Sequence, residues 1–214
     1  MIKVETTFPY LGSRDYIHGT SILAGFVDAL EQQGHRDITV KRLKLQRPAK
    51  TNGRLALTTD PLDEAQAAGA NCTFQATVGT TVWRGLYAET GAPVQQRLAV
   101  AYPVTDVVAE RFGGHCTIAP QNRGDLIRAL IEANKRFHEL SLERRAGAVR
   151  FGYLESWRVP PAGTAFSGAL DAKNLIMRKT EDGYMTINRL TYTAAGVGGS
   201  LTLCFNVTEA AGTP

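Results

Sequence analysis

His18 and Gly19 stand side by side in RDYIHGTSILAGFVDAL (14–30), where polar residues give way to an apolar pattern. Histidine titrates near neutral pH and serves as general base or acid. A ring at a helix start also lies next to backbone N–H groups that no helical carbonyl satisfies. The plain alternative is a ring that caps the helix or fills space beside it. His35, His115 and His138 lack this setting and read as structural or exposed.

The elements that must position these residues are legible from spacing. Ile22, Leu23, Phe26, Val27 and Leu30 recur at three- and four-residue intervals, which predicts an amphipathic helix ended by Gly34, with Thr20 or Ser21 as its cap. ITVKRLKLQRP alternates on Ile38 and Val40, slips by one residue at Lys41–Arg42 and resumes at Leu43, which predicts a strand with a β-bulge. After the turn KTNG comes the strand RLALTT, then a loop over 60–71. CTFQATVGTTVWRGLYAE follows, as two strands or one bent strand around Gly79.

The pattern then restarts. TGAPVQQR reads as a connector and RLAVAYPV as a strand; HCTIAPQNRG reads as a loop or short strand. DLIRALIEANKRFHEL predicts a second amphipathic helix burying Leu126, Ile127, Leu130, Ile131 and Phe137. AVRFGYLESWRVP alternates so that Val149, Phe151, Tyr153, Glu155, Trp157 and Val159 share a side. GTAFSGALDAKNLIMRKT, YMTINRLTYTA and SLTLCFNVTE supply three more strands, with EDG as a turn and GVGGS (196–200) as a hairpin loop. A shift of 104 positions lays the first helix on the second and sets Leu30 against Asn134. RPAKTNG in the first half is echoed by RVPPAG in the second. The chain therefore reads as a duplicated α+β unit, with domains over 1–90 and 98–214 and a linker over 91–97.

Further candidates follow from this alignment. Asn134 is an amide on an apolar face, and a buried amide left unpaired costs about 1–3 kcal/mol. Asp28 and Glu132 occupy equivalent places off the apolar stripes, where a solvated helix face is the plain reading. Asp125 is expected at the N-cap or in the first turn of the second helix, where the dipole favours negative charge. Glu155 sits in an apolar row, where a carboxylate is desolvated and suited to acid–base work, unless the strand end is open to water.

HGTSILAGFVDAL, VKRLKLQRPAKTNGRLALTT and the echo LIRALIEAN…FGYLESWRVPPAG together resemble the hotdog thioesterase and dehydratase superfamily. The arrangement is a double hotdog, and the likeness is nearest to acyl-CoA thioesterase-like proteins. The resemblance runs from about residue 3 to 208 and implies two tandem units, each a central helix wrapped by an antiparallel sheet. It implies an acyl thioester, on coenzyme A or an acyl carrier protein, lying between the hotdogs with its carbonyl at a helix start. Hydrolysis ranks first by a narrow margin, ahead of a 3-hydroxyacyl thioester dehydratase or hydratase and of a non-catalytic acyl-binding protein. Under the resemblance the catalytic candidates are His18, Asn134, Glu132 and Asp125. Gly19, Gly124, Tyr16 and Arg47 are the substrate-binding ones. His18 would take a proton from the carbon beside the carbonyl, or from water. Asn134 would stand where relatives carry a water-activating aspartate, which argues against base-assisted hydrolysis. Asp125 could partner His18 in a dehydratase, although the proline-rich loop that follows the histidine in those enzymes is missing from HGTSILAG.

Composition narrows the setting. The net charge of +4 is mild, and the basic run KRLKLQRPAK reads as the outer face of a strand or as a docking face for an acidic carrier or a coenzyme phosphate. No aromatic interleaving or zinc-ligand spacing supports nucleic-acid binding. No run approaches the roughly 18 apolar residues of a membrane span, and MIKVETTFPY does not read as a signal peptide. Cys72, Cys116 and Cys204 then suggest thiols in a reducing cytoplasm. No metal or cofactor is implied, and assembly into homo-oligomers is left open.

Overall fold

The computed structural model describes residues 1–100, 102, 104–142, 146–161, 168–194 and 197–209. The chain divides into two compact units, Met1–Ala101 and Tyr102–Pro214.

In the first unit β1 (Ile2–Glu5) and β2 (Tyr10–Leu11) precede α1 (Gly19–Gln32). Then come β3 (Ile38–Leu45), β4 (Asn52–Thr58), a short α2 (Glu64–Gly69), β5 (Cys72–Val78), β6 (Thr81–Ala92) and β7 (Arg97–Leu98). The antiparallel sheet runs β1-β4-β6-β5-β3, and β2 pairs separately with β7 in parallel. The apolar stripe predicted for α1 is its buried face: Ile22, Leu23, Phe26, Val27 and Leu30 are all within the core, packed on β3, β4 and β5. Phe26 stacks on Phe74 with ring centroids 4.6 Å apart. Gly85 makes the room, because a Cβ there would lie 2.7 Å from the Phe26 ring. Gly34, at φ +81°, ends the helix: its N–H reaches Glu31 O while the His35 N–H reaches Leu30 O. This pair of bonds is the glycine-closed helix stop expected from the sequence.

The bulge in β3 is where the alternation slips, between Val40 and Arg42. It keeps Val40 and Leu43 both inside despite their three-residue spacing. Two expectations change here. The cap of α1 is His18, not Thr20 or Ser21; both hydroxyl residues already have helical backbone. The loop over 60–71 contains α2, started by Asp63, whose side chain accepts from the Gln66 N–H.

The second unit carries β8 (Val104–Glu110), β9 (Gly113–Ile118), α3 (Arg123–Leu142), β10 (Ala146–Arg158), β11 (Gly168–Thr180), β12 (Gly183–Ala194) and β13 (Val197–Glu209). Its strands are ordered β10-β13-β12-β11-β9-β8, and α3 lies against β8, β9, β10 and β13. Leu126, Ile127, Leu130, Ile131 and Phe137 are buried as predicted. The strand expected at RLAVAYPV is not one element: Arg97–Leu98 is β7 and Val104 begins β8, while Ala101 and Pro103 lie outside the described residues. The β8–β9 hairpin escaped prediction because its turn is made by Arg111 and Phe112, non-glycine residues at φ +37° and +68°. Bonds on both sides of Phe112 hold it there, from its N–H to the Ser141 hydroxyl and from Asn188 Nδ2 to its carbonyl.

The single-sided row predicted for β10 is also corrected. A register shift between Phe151 and Tyr153 turns Leu154 inward, and Ser156 at φ +58° turns the phase back so that Trp157 is buried. Glu155 therefore does not share a row with Trp157. Residues 197–200 of GVGGS belong to β13, paired with β12, while Gly196 lies outside the described residues. The end of RVPPAG and the start of GTAFS, 162–167, also lie outside them.

Phe26→Ala removes the ring that locates α1 on the sheet and leaves a cavity, so the first unit is expected to lose about 3–5 kcal/mol in a denaturant titration.

Candidate functional site

The first unit holds His18 at the turn from extended chain into α1, with φ −70° and ψ 138°. Only 8% of the residue is exposed. Nδ1 lies 2.7 Å from the Thr20 hydroxyl and 3.5 Å from the Thr20 N–H. The N–H contact needs Nδ1 as acceptor, whereas a hydroxyl can donate to Nδ1 or accept from it. The Thr20 hydroxyl, itself buried, thus fits either tautomer of the ring, whereas the Thr20 N–H fits only the one protonated on Nε2.

Gly19 follows as the first helical residue, and a Cβ on it would meet Leu45 Cδ1 at 2.8 Å. A larger residue here would have to push the end of the Leu45 side chain aside. Tyr16 is half-buried two positions before His18. Arg47 is exposed, and its guanidinium donates to the Gly69 carbonyl at the end of α2. The run 41–50 presents its charged side chains to solvent and turns Leu43 and Ala49 inward. A cavity of about 420 Å³ opens in this unit over Ala56, Leu86 and Ala88, with Lys3, Arg54 and Glu89 around it; His18 does not line it.

In the second unit the α3 candidates are occupied. Asn122 starts the helix: its Oδ1 accepts from the Asp125 N–H at 2.9 Å, and its Nδ2 donates to the Asp125 carboxylate at 2.8 Å. The other carboxylate oxygen of Asp125 pairs with Arg128 at 2.9 Å. Asp125 is thus the expected first-turn acid. The Asn122 and Arg128 side chains also lie over Gly124, where a Cβ would meet them at 3.2 and 3.3 Å. Glu132, only 13% exposed, pairs with Arg136 at 3.4 Å, and Arg136 also donates to the Val104 carbonyl. Asp28, its counterpart on α1, is exposed.

Asn134 is completely buried where α1 has Leu30. Its Oδ1 accepts from Asn188 Nδ2 at 2.7 Å, and Asn188 Oδ1 accepts in turn from Asn174 Nδ2 at 2.7 Å. Asn134 Nδ2 has no hydrogen-bond partner among the described residues. One turn on, His138 is also wholly buried, with Nδ1 2.5 Å from the Asn134 carbonyl and Nε2 2.6 Å from the Thr186 hydroxyl. A carbonyl only accepts, so Nδ1 carries the proton and Nε2 accepts from Thr186. Burial pushes the His138 pKa down, and the bond to the Asn134 carbonyl opposes this only in part. Sequence reading missed this cluster. Its one available signal was the i, i+4 spacing of two polar residues, Asn134 and His138, on an apolar face.

The cysteines are all buried. Burial drives the Cys72 thiol far above its ordinary value and the Cys116 thiol up to about 11, so neither is a thiolate near neutral pH. Among the described residues no helix is long and apolar enough to cross a membrane.

No family model and no curated protein matches the sequence. Solved structures do. A trans-acyltransferase polyketide synthase enoyl-isomerase is similar at 9% identity and TM-score 0.56, over 96% of this chain and 99% of that one. A monomeric dehydratase domain from a trans-AT polyketide synthase split module is similar at 8% identity and TM-score 0.53, over 98% and 100%. A protein named as a thioesterase II, from Thermobifida fusca, is similar at 11% identity and TM-score 0.54, over 96% and 91%. At such identities the likeness is one of fold: two tandem hotdog units, each an antiparallel sheet with a central helix.

Because the folded state keeps His138 neutral below its unfolded pKa of about 6.5, its stabilising effect is complete above that pH and declines as pH falls through the lowered folded value. Wild type is expected to lose more stability than His138→Gln between about pH 7.5 and pH 5.5, read as the difference between their denaturation midpoints.

Proposed function

We propose that the chain is an enzyme acting on an acyl thioester, carried on coenzyme A or an acyl carrier protein, and that His18 is its proton-transfer group. The observation that carries this reading is the buried imidazole at the start of α1, held by a hydroxyl that accommodates either tautomer. As a base the neutral ring takes a proton on Nε2 while Nδ1–H donates to the Thr20 hydroxyl, and the imidazolium so formed is the acid that returns a proton. The first-turn N–H groups and the helix dipole favour negative charge on an oxygen brought to the same place.

The helix carboxylates support a histidine-centred reaction over a carboxylate-centred one. Asp125 is bonded to Asn122 and Arg128, and Glu132 to Arg136, so both have structural work that explains them. Asn134 gives an amide where a water-activating carboxylate would be needed, and its oxygen is already taken by Asn188. We therefore place removal or addition of water at a 3-hydroxyacyl or enoyl thioester first. His18 would take the proton on the carbon beside the carbonyl and the hydroxyl would leave with a proton as water, or the reverse. Likeness to the Thermobifida fusca thioesterase II favours hydrolysis as a second reading, with His18 withdrawing a proton from the attacking water.

The test is a panel of acyl, 3-hydroxyacyl and enoyl thioesters on both carriers, followed by mass spectrometry. Gain or loss of one water identifies the first reaction, and release of free thiol the second. His18→Ala is expected to lower the observed turnover by about 100- to 10,000-fold with the fold retained. Thioesters that all survive intact with wild type would sink the proposal.

A further inference from the structure

Segment 46–51, the QRPAKT stretch after β3, makes hydrogen bonds from end to end. The Asn71 carbonyl accepts from the N–H groups of Gln46 and Arg47, at 2.9 and 3.4 Å. Asn71 Nδ2 donates to the Pro48 carbonyl at 3.3 Å. One Glu89 carboxylate oxygen accepts from the Lys50 N–H at 2.6 Å, the Thr51 N–H at 2.8 Å and the Thr51 hydroxyl at 3.2 Å. The Lys50 carbonyl accepts from the Tyr10 hydroxyl at 2.5 Å, and the Thr51 carbonyl from the Tyr87 hydroxyl at 3.1 Å. Asn71 and Glu89 also bind each other twice: Nδ2 to the second carboxylate oxygen at 2.8 Å, and the Glu89 N–H to Asn71 Oδ1 at 3.2 Å. Asn71 is completely buried.

In the middle of this strap lies the Ala49 carbonyl. It accepts from the Ile17 N–H at 2.7 Å, an isolated antiparallel bridge next to His18. Ile17 and Ala49 are each 2% exposed. The bridge fixes the backbone that enters His18, and the extended φ and ψ of His18 aim its ring at Thr20. A displacement of the strap therefore displaces the imidazole.

We propose that Glu89 and Asn71 are positioning residues for His18, acting through the 46–51 strap; this rests on the reading of His18 as the proton-transfer group. The carboxylate form of Glu89 is the one that fits, because every group around its two oxygens is a donor. Partial burial pushes its pKa up, and the bonds from Asn71, Lys50 and Thr51 outweigh that and hold it below the usual carboxylate range. An amide at this position brings an NH₂ against the Asn71 NH₂, which no rotation of residue 89 relieves without turning the NH₂ toward Lys50 and Thr51.

The experiment compares wild type, Glu89→Gln, and the exchanged pair Glu89→Gln/Asn71→Asp. In the exchanged pair the glutamine NH₂ faces a carboxylate, while the donor to the Pro48 carbonyl becomes an acceptor and the Lys50 and Thr51 groups donate to a neutral oxygen. Amide exchange of Ile17, Lys50 and Thr51 is read together with the ¹⁵N shifts of the His18 ring, and kcat and KM are measured where turnover exists. Glu89→Gln is expected to speed exchange at these amides by roughly tenfold and shift the His18 ring signals, leaving the α1 amides protected. Its kcat is expected to fall more than its KM changes, and the exchanged pair to recover most of each effect. Unchanged Ile17 exchange and His18 signals in folded Glu89→Gln overturn the proposal. So does loss of protection across the whole first unit that the exchanged pair fails to restore. If wild type turns over no thioester, the functional reading fails while the exchange and ring signals still decide this one.

Discussion

The stack of Phe26 on Phe74 is the contact on which the first unit depends. It forms in a hollow that only a glycine at position 85 leaves open, so it sets both the depth of α1 and its rotation on the sheet. With that rotation set, the apolar stripe faces β3, β4 and β5, and the helix start arrives against Leu45 with His18 at its cap. The imidazole is buried because the helix it caps is buried. Its position thus follows from hydrophobic packing about two turns away, and the 46–51 strap adjusts it locally.

The second unit uses the same plan with a different interior. Where α1 places Leu30 on its apolar face, α3 places Asn134, and one turn later His138. Both are enclosed, so each must find partners or bear the cost of losing water. Asn188 binds the Asn134 oxygen and Thr186 the His138 Nε2. Asn188 in turn binds Asn174 and the Phe112 carbonyl, drawing together α3, β11, β12 and the β8–β9 turn, while Asn134 Nδ2 has no partner among the described residues. The backbone at Phe112 is held in a sparsely populated conformation by the same set of bonds. A polar cluster of this kind needs each member in register, because an orphaned donor in a dry interior costs more than a made bond contributes.

Much of the architecture was legible in the sequence because burial has a period. The stripes of α1 and α3 repeat every three to four residues, and each stripe residue named from spacing is buried. The slip at Lys41–Arg42 announced the bulge in β3, since a bulge is the one way to keep both flanking apolar residues inside. The misses have physical causes as well. The β8–β9 turn uses Arg111 and Phe112 where a reader looks for glycine, and tertiary bonds to Ser141 and Asn188 stabilise the conformation. In β10 the irregularities at Gly152 and Ser156 shift the phase twice, so alternation counted along the strand assigned Glu155 and Leu154 to the wrong faces.

The sequence by itself determined two helices with one apolar face each, most of the strands that cover them, and a histidine at the mouth of the first helix. Local chemistry suffices for these, because side-chain period, glycine stops and bulges act within a few residues. Tertiary structure decided what each polar side chain does. Glu89 is separated from Lys50 by 39 residues and Asn134 from Asn188 by 54, and spacing along the chain says nothing of such pairs. A hydrogen bond requires contact within about 3 Å, and contact across that much chain exists only once the sheet has brought the strands together.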